Sequence, residues 1–462
     1  MQASGKKSHE ASKAVATARR IFFGVAAALF VCAQGSAVRA ESSFGSWRAR
    51  LWVEAQARGI EQSTFDRAMD VQVDLSLPDL VIPGRPVKEQ AEFVKLPSDY
   101  LPAGQLSSLA RQGQQLLLKN RLLLDRIEAE FGVPGNVVIA IWGRETDYGA
   151  ERQHHQVVRS LVTLAYLGRR RDLFKNELLT ALELIQQGKI SMDAMGSWSG
   201  AMGLTQFEPT DFVKFAVDGD GDGKIDLTGS IPDALASAAK QLRDYGWQRG
   251  KPWGFEVRVP AQLSCLEGGP DVERPLSAWL RMGVMPTSKA SLSADSLQDP
   301  ARLVLPAGVY GPAFLAFANF QVFRRYNQSD NYALFVGQLS DLIAGGPAFE
   351  KAWARLLPLR SNEIEEIQSL LRKGGFYYDA VDARLGSATR HAIGLFQQAA
   401  GLNVDCWPLP TLLDDLRHFQ PHNGVADTTS APQNPSSGAA ERSIASPLPA
   451  VNRPSLGTAI AR

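Results

Sequence analysis

A chain of 462 residues, 45% of them hydrophobic and 21% charged, is long enough for two or three domains around a substantial core, which excludes a disordered or fibrous protein. A formal net charge of +1 gives no support to a nucleic-acid or strongly anionic partner. The partner has to be read from local motifs.

At the N-terminus, Arg19 and Arg20 precede the apolar run "IFFGVAAALFVCA", and "AVRA" places small residues at Val38 and Ala40. This is a secretory signal pattern over 1–40, cut after Ala40. The run is too short to span a bilayer, which needs roughly 20 apolar residues, and no later segment reaches that length. The expectation is a soluble, exported, periplasmic protein without a membrane-spanning segment. "LFVC" ends at Cys32 but carries bulky Val31, which argues against lipid anchoring there. Removal of the leader leaves Cys265 and Cys406, one in each folded region. They are read as two buried, unpaired thiols, with pairing in an oxidising compartment left open.

From about 45 to 345 the texture is helical. "LSSLARQGQQLLLKNRLLLDRIEAEFG", "ELLTALELIQQG", "DALASAAKQLRDYGW" and "NYALFVGQLSDLIAGG" repeat apolar residues at three and four, each running into a glycine. Between 256 and 310 short alternating stretches such as "FEVRVP" predict a small β insertion. The plan is therefore one mainly α domain over 41–348, a linker over 349–360, a compact unit over 361–420, and a disordered Pro-, Ser- and Ala-rich tail over 421–462.

The stretch "VIAIWGRETDYGAE" places Glu145 at the end of an apolar helix opened by Pro134 and Asn136 and closed by Gly149. In a last turn the helix dipole disfavours a charged carboxylate, and the apolar surroundings act in the same direction, so the proton is held. That is what a general acid requires. The plainer alternative is a solvated glutamate, or one paired with Arg144 or Arg152. Asp147 is not a partner on the same face, because residues two apart on a helix diverge.

A second stretch, "GSWSGAMGLTQFEPTDF", uses glycines to bring backbone close to a groove or to a packing corner. It is not a serine-hydrolase elbow, since Trp198 stands at the centre of "GSWSG". Neither HExxH nor a paired CxxC occurs, which disfavours zinc chemistry.

Together with "GRRRDLF", "VDGDGDGKIDL" and "FANFQVFRRYNQSDNYAL", these stretches resemble the lytic murein transglycosylase B family, in its order, over about 85–345. The resemblance implies a lysozyme-like α-rich catalytic domain with a small β insertion. It also implies cleavage of the β-1,4 bond between N-acetylmuramic acid and N-acetylglucosamine in peptidoglycan glycan strands, leaving 1,6-anhydromuramic ends. Glu145 would be the single catalytic acid and base, whereas ordinary glycosidases need two carboxylates. Ser197 and Gln206 would hydrogen-bond near the reacting sugar, with Phe207 beneath a ring. Arg170 and Arg171 would meet acidic peptide or lactyl groups, the alternative being a solvated basic helix face, and Tyr326, Asn327 and Tyr332 would complete the groove, the alternative for the tyrosines being core packing with satisfied hydroxyls. The alternatives are a hydrolytic muramidase and a non-catalytic peptidoglycan-binding scaffold. No organic cofactor is expected, and wall-synthesis or secretion partners stay unknown.

"DGDGDGKIDL" reads independently as an EF-hand-like loop. Asp218, Asp220 and Asp222 stand at positions 1, 3 and 5, the Lys224 carbonyl at 7 and Asp226 at 9, which predicts a structural Ca²⁺, with an acidic turn that binds no cation as the alternative. Gly229 replaces the bidentate glutamate at position 12. Asp233 is either a further ligand or, with Ser230, a helix-capping pair. The region 361–420 resembles the three-helix peptidoglycan-binding domain through Asp382, Gly386, Thr389, Phe396 and Gln397. Ala383 stands where that family usually has glycine. The alternative there is a helical unit that only packs on the catalytic domain.

Overall fold

The computed structural model describes residues 44–84, 95–287 and 294–419, so the signal segment and the tail assigned from sequence lie outside the described residues. Described residues up to His418 belong to one compact unit. It is mainly helical, as the periodicity predicts.

Two hydrophobic clusters divide the helices. The first surrounds α5 (Gly135–Thr146), whose Val137, Val138, Ile139, Ala140, Ile141 and Trp142 are all buried. A helix apolar on every side must be enclosed. Here α3 (Ala103–Lys119), α4 (Arg121–Phe131), α9 (Ile231–Asp244) and α11 (Asp330–Ile343) enclose it. The second cluster joins α1 (residues 44–57) and α2 (Gln62–Met69) to the pair α6 (Val157–Leu167) and α7 (Arg171–Gln186) through residues such as Leu161 and Leu178. The segment 195–207 runs between them, with Met202 in the second core and Phe207 in the first. Before it, strand β1 (His155–Gln156) pairs with β2 (Met195–Gly196); after it comes α8 (Pro209–Phe215).

The β insertion is present as an antiparallel five-stranded sheet. Its strands are β3 (Gly254–Arg258), β4 (Arg274–Pro275), β5 (Met285–Pro286), β6 (Pro300–Val304) and β7 (Ala313–Ala316), in the order β4-β6-β7-β3-β5. Leu315 lies opposite both Phe255 and Leu303, which fixes the register and puts the apolar side chains of neighbouring strands in line. The chain then returns through α10 (Ala318–Tyr326) into α11.

The C-terminal region contains three helices, α12 (Ser361–Lys373), α13 (Ser387–Ala399) and α14 (Leu412–His418). Its centre is Gln368, which donates to Asp382, Thr389 and the Arg384 carbonyl and accepts from the N–H groups of Asp382 and Ala383. Ala383 takes φ +60°, the left-handed conformation that the usual glycine accommodates without strain. The cysteine reading is corrected here. Cys265 and Cys406 are not free thiols but a disulfide with Cα atoms 6.1 Å apart, joining the β insertion to the C-terminal helices. The same junction carries the Tyr310 hydroxyl on Asp405 at 2.7 Å and an Arg390–Asp330 ion pair at 2.9 Å.

Candidate active site

The last turn of α5 is fixed at both ends of the helix. Asn136 donates to the Ser340 carbonyl of α11 at 3.1 Å, and the Thr146 hydroxyl donates to the Leu204 carbonyl at 2.7 Å. Helical geometry stops at Thr146, earlier than Gly149, because Asp147, Tyr148 and Gly149 all take left-handed φ (+50°, +58° and +84°). This reversal sends the Tyr148 ring inward, where its hydroxyl donates to the Leu109 carbonyl at 2.9 Å. A Cβ on Gly143 would stand 2.6 Å from the Tyr148 ring, so only glycine leaves room for it.

Glu145 is half-buried in that turn, and its Oε1 accepts the hydroxyl of Tyr332. Tyr332 is 1% exposed and stacks on Tyr326, with centroids 6.1 Å apart and planes 8° from parallel. The Tyr326 hydroxyl in turn donates to the Thr205 carbonyl at 2.5 Å. Burial, and secondarily the Glu145 charge, push both phenols well above their ordinary range, so both keep their protons and act as donors. Neighbouring Arg144 donates to the Tyr100 hydroxyl at 2.5 Å and lies between the rings of Tyr100 and Phe335, at 4.8 and 5.0 Å. Such a stack suits a guanidinium removed from water. Sequence reasoning named Arg144 only as an alternative partner of Glu145 and missed Tyr100 and Tyr148, because no local pattern announces contacts between such distant segments.

The glycine-studded loop holds Ser197 and Gln206 by local hydrogen bonds and turns Phe207 into the core. Ser197 Oγ accepts the Ala201 N–H at 3.1 Å and lies 3.0 Å from Ser199 Oγ. Gln206, at φ +54°, donates to the Gly203 backbone carbonyl and to the Gln153 side-chain Oε1 at 3.0 and 3.2 Å. The N–H and carbonyl of Phe207 pair with those of Met202 at 2.9 Å, and its ring is 1% exposed in the core. It therefore supports the loop from below and offers no surface to a sugar. Tyr332 likewise backs the site through its hydroxyl, whereas Tyr326 and Asn327 remain half-exposed. Arg170 pairs with Asp79 at 3.0 Å, and Arg171 is exposed with its Nε on the Gly168 carbonyl.

In the acidic loop, ligand atoms of Asp218, Asp220 and Asp222 lie within 4.8 Å of one another, the spacing of a cation site. Gly221 and Gly223 take the left-handed turns (φ +80° and +87°), and the Asp218 carboxyl, accepting the Gly223 and Gly221 N–H groups, is held below the usual carboxylate range. Asp226 stands outside this trio with its Oδ1 on the N–H groups of Thr228 and Gly229. Asp233 follows the capping alternative: its N–H reaches Ser230, and its buried carboxyl accepts the N–H groups of Gly219 and Asp226.

A mostly helical frame around one half-buried carboxyl, with a glycine-rich loop tied to the end of its helix and a small sheet inserted, defines a lysozyme-like α-rich domain. The chain belongs to the transglycosylase SLT domain family, whose model matches residues 43–341. A second model, described as a peptidoglycan binding domain, matches 360–405. Over 223 residues the chain is 30% identical to the membrane-bound lytic murein transglycosylase B of Escherichia coli (strain K12), an alignment spanning 48% of this chain and 60% of that relative. Among solved structures, SltB3 from Pseudomonas aeruginosa in complex with NAG-anhNAM-pentapeptide is 40% identical, covering 81% of this chain and 99% of SltB3 with a TM-score of 0.70. Its complex with NAG-NAM-pentapeptide gives the same identity and coverage with a TM-score of 0.71. Soluble lytic transglycosylase SltB1 of the same organism is 27% identical, covering 65% of this chain and 98% of SltB1, with a TM-score of 0.55.

Proposed function

We propose that this chain is a lytic transglycosylase of peptidoglycan with Glu145 as its only acid and base. The observation that carries the reading is the Glu145 carboxyl, set at the end of a buried helix and fixed through one oxygen by Tyr332. That carboxyl is assigned proton transfer to the glycosidic oxygen between N-acetylmuramic acid and N-acetylglucosamine. Once ionised, the carboxylate takes the proton of the muramic C6 hydroxyl as that oxygen bonds to C1, so the C1–O bond is exchanged for an intramolecular one and no water is consumed. The Tyr332 donor stabilises the ionised stage and keeps the group oriented for its second role. Family membership and the likeness to a structure holding an anhydro-muramic ligand support the same outcome.

Ser197 and Gln206 serve as polar contacts to the reacting sugar, Tyr326 and Asn327 as groove wall, and Arg170 and Arg171 as basic contacts for the stem peptide or lactyl groups. Digestion of sacculi followed by mass spectrometry tests the chemistry: anhydro-muramic ends are expected, and reducing muramic ends would overturn it. Glu145→Gln should abolish release while leaving sacculus binding intact.

The C-terminal helices are read as a wall-binding unit that raises the effective concentration of glycan at the groove. The domain plan keeps its boundaries at 348/349 and 360/361, with a tail from 421. Export to the periplasm by the segment ending at Ala40 agrees with the Cys265–Cys406 disulfide, because such bonds persist in oxidising compartments. A structural Ca²⁺ on Asp218, Asp220 and Asp222, aided by the Lys224 carbonyl, would neutralise their mutual repulsion. Calorimetric titration with Ca²⁺ should give one saturable site that the Asp220→Asn/Asp222→Asn double variant loses; no heat with the parent chain would remove calcium from the reading.

A further inference from the structure

Beneath the loop carrying Ser197 lies a carboxyl that this mechanism does not use. Glu208 Oε1 stands 3.1 Å from Ser199 Oγ, and Ser199 Oγ stands 3.0 Å from Ser197 Oγ, which also accepts the Ala201 N–H. Glu208 Oε2 is buried without a hydrogen-bond partner. The groups around it are Glu177 from the body of α7, Arg170 just before that helix, and Asp211 from α8. Glu177 is itself spoken for by the N–H and hydroxyl of Thr210 at 2.9 and 2.7 Å.

Each hydroxyl in this row has one proton and can accept two, which leaves two self-consistent arrangements. With Glu208 ionised, Ser199 donates to it, Ser197 must donate to Ser199, and Ser197 faces the groove only as an acceptor. With Glu208 protonated on Oε1, the direction reverses: Glu208 donates to Ser199, Ser199 donates to Ser197, and the Ser197 proton is free to point outward. A proton on Oε2 would have no acceptor, so Oε1 is the favoured position.

We infer that Glu208 is a positioning residue which, by donating its proton through Ser199, turns the Ser197 hydroxyl into a hydrogen-bond donor toward a carbonyl or ring oxygen of the bound sugar. The inference rests on the reading of Ser197 as a sugar contact. Burial first, and the Glu177 charge second, push the Glu208 carboxyl up to about 8, so the donating arrangement prevails at neutral pH and reverses in mildly alkaline solution. Arg170 opposes this shift and is outweighed.

The test measures binding of NAG-NAM-pentapeptide by the full chain carrying Glu145→Gln, which removes the catalytic carboxyl's own titration. Affinity should fall by about fivefold to tenfold between roughly pH 6 and pH 9.5, the effect of one neutral hydrogen bond. Adding Glu208→Gln supplies a permanent amide donor to Ser199 and should hold affinity at its neutral value across that range, while Glu208→Met removes donor and acceptor alike and should abolish the pH step. Titration of the ligand is common to all three and cancels. A pH step that survives unchanged in the Glu145→Gln/Glu208→Gln chain overturns the role of Glu208 alone. Continued sacculus cleavage by the Glu145→Gln chain would instead overturn the proposed function and leave Glu208 to be judged by the binding series.

Discussion

Glu145 owes its setting to neighbours distant in sequence. The Tyr332 hydroxyl reaches it from α11, and the Tyr326 ring stacks behind that tyrosine while its hydroxyl ties the pair to the Thr205 carbonyl. Tyr332→Phe keeps the buried ring and removes one donor. The expected result is a fall in kcat of about tenfold to a hundredfold with KM little changed, because the lost bond acts on the ionised stage and not on ground-state binding. Steady-state release of anhydro-muropeptides measures it; an unchanged kcat would reduce Tyr332 to packing. The sequence supplied the glutamate, its helix and both tyrosines as candidates. It did not separate Tyr332, which holds the carboxyl from behind, from Tyr326, which is half-exposed. Nor did it reveal that Phe207 faces the core, since an aromatic residue after a polar one fits a sugar platform and a packing anchor equally well.

At the scale of the element, α5 and α11 form the frame, and each carries a cost in its last turn. The Tyr148 ring occupies the space above Gly143, a glycine required by packing alone. On α11, Asp341 is pushed up to about 7 by burial, against the Trp253 indole N–H that donates to it at 3.0 Å. Between its unfolded value near 4 and about 7, the folded chain holds a proton that the unfolded chain has released. Rising pH therefore erodes stability across that window. Asp341→Asn preserves an acceptor for Trp253 and removes the penalty. Stability should rise by roughly 1–3 kcal/mol at pH 8 and change little at pH 4. Urea unfolding at the two pH values is the check, and equal effects at both would mean that Asp341 does not titrate in this way. Helix periodicity exposed both elements in the sequence; it gave no sign of the reversal at Asp147–Gly149 or of the apolar setting around Asp341.

For the whole molecule, the C-terminal helices are bound covalently and electrostatically to the region that carries the site. Asp330 lies between Tyr326 and Tyr332 and pairs with Arg390 of α13 as well as with Arg324 of α10, at 2.9 and 3.0 Å. The Cys265–Cys406 bond spans 141 residues, and in the chain-entropy view closing so long a loop stabilises by about 5 kcal/mol. Cys406→Ser should lower the melting temperature by several degrees and loosen the C-terminal helices first. Hydrogen exchange resolves this: faster exchange confined to α12–α14 is expected, and uniform protection throughout would show the bond to be dispensable.

The sequence by itself determined the helical class, the inserted sheet, the small C-terminal unit, the candidate acid Glu145 and the acidic turn at 218–222. These rest on periodicity, on glycine and proline punctuation, and on ordered motifs, all of which act over a few neighbouring residues. Tertiary structure alone decided that two cysteines 141 residues apart meet, that Tyr332 reaches Glu145 from α11, and that Glu208 is linked to Ser197 through Ser199. Those depend on which distant side chains share one buried volume, and burial sets both the strength of a hydrogen bond and the cost of leaving one unmade.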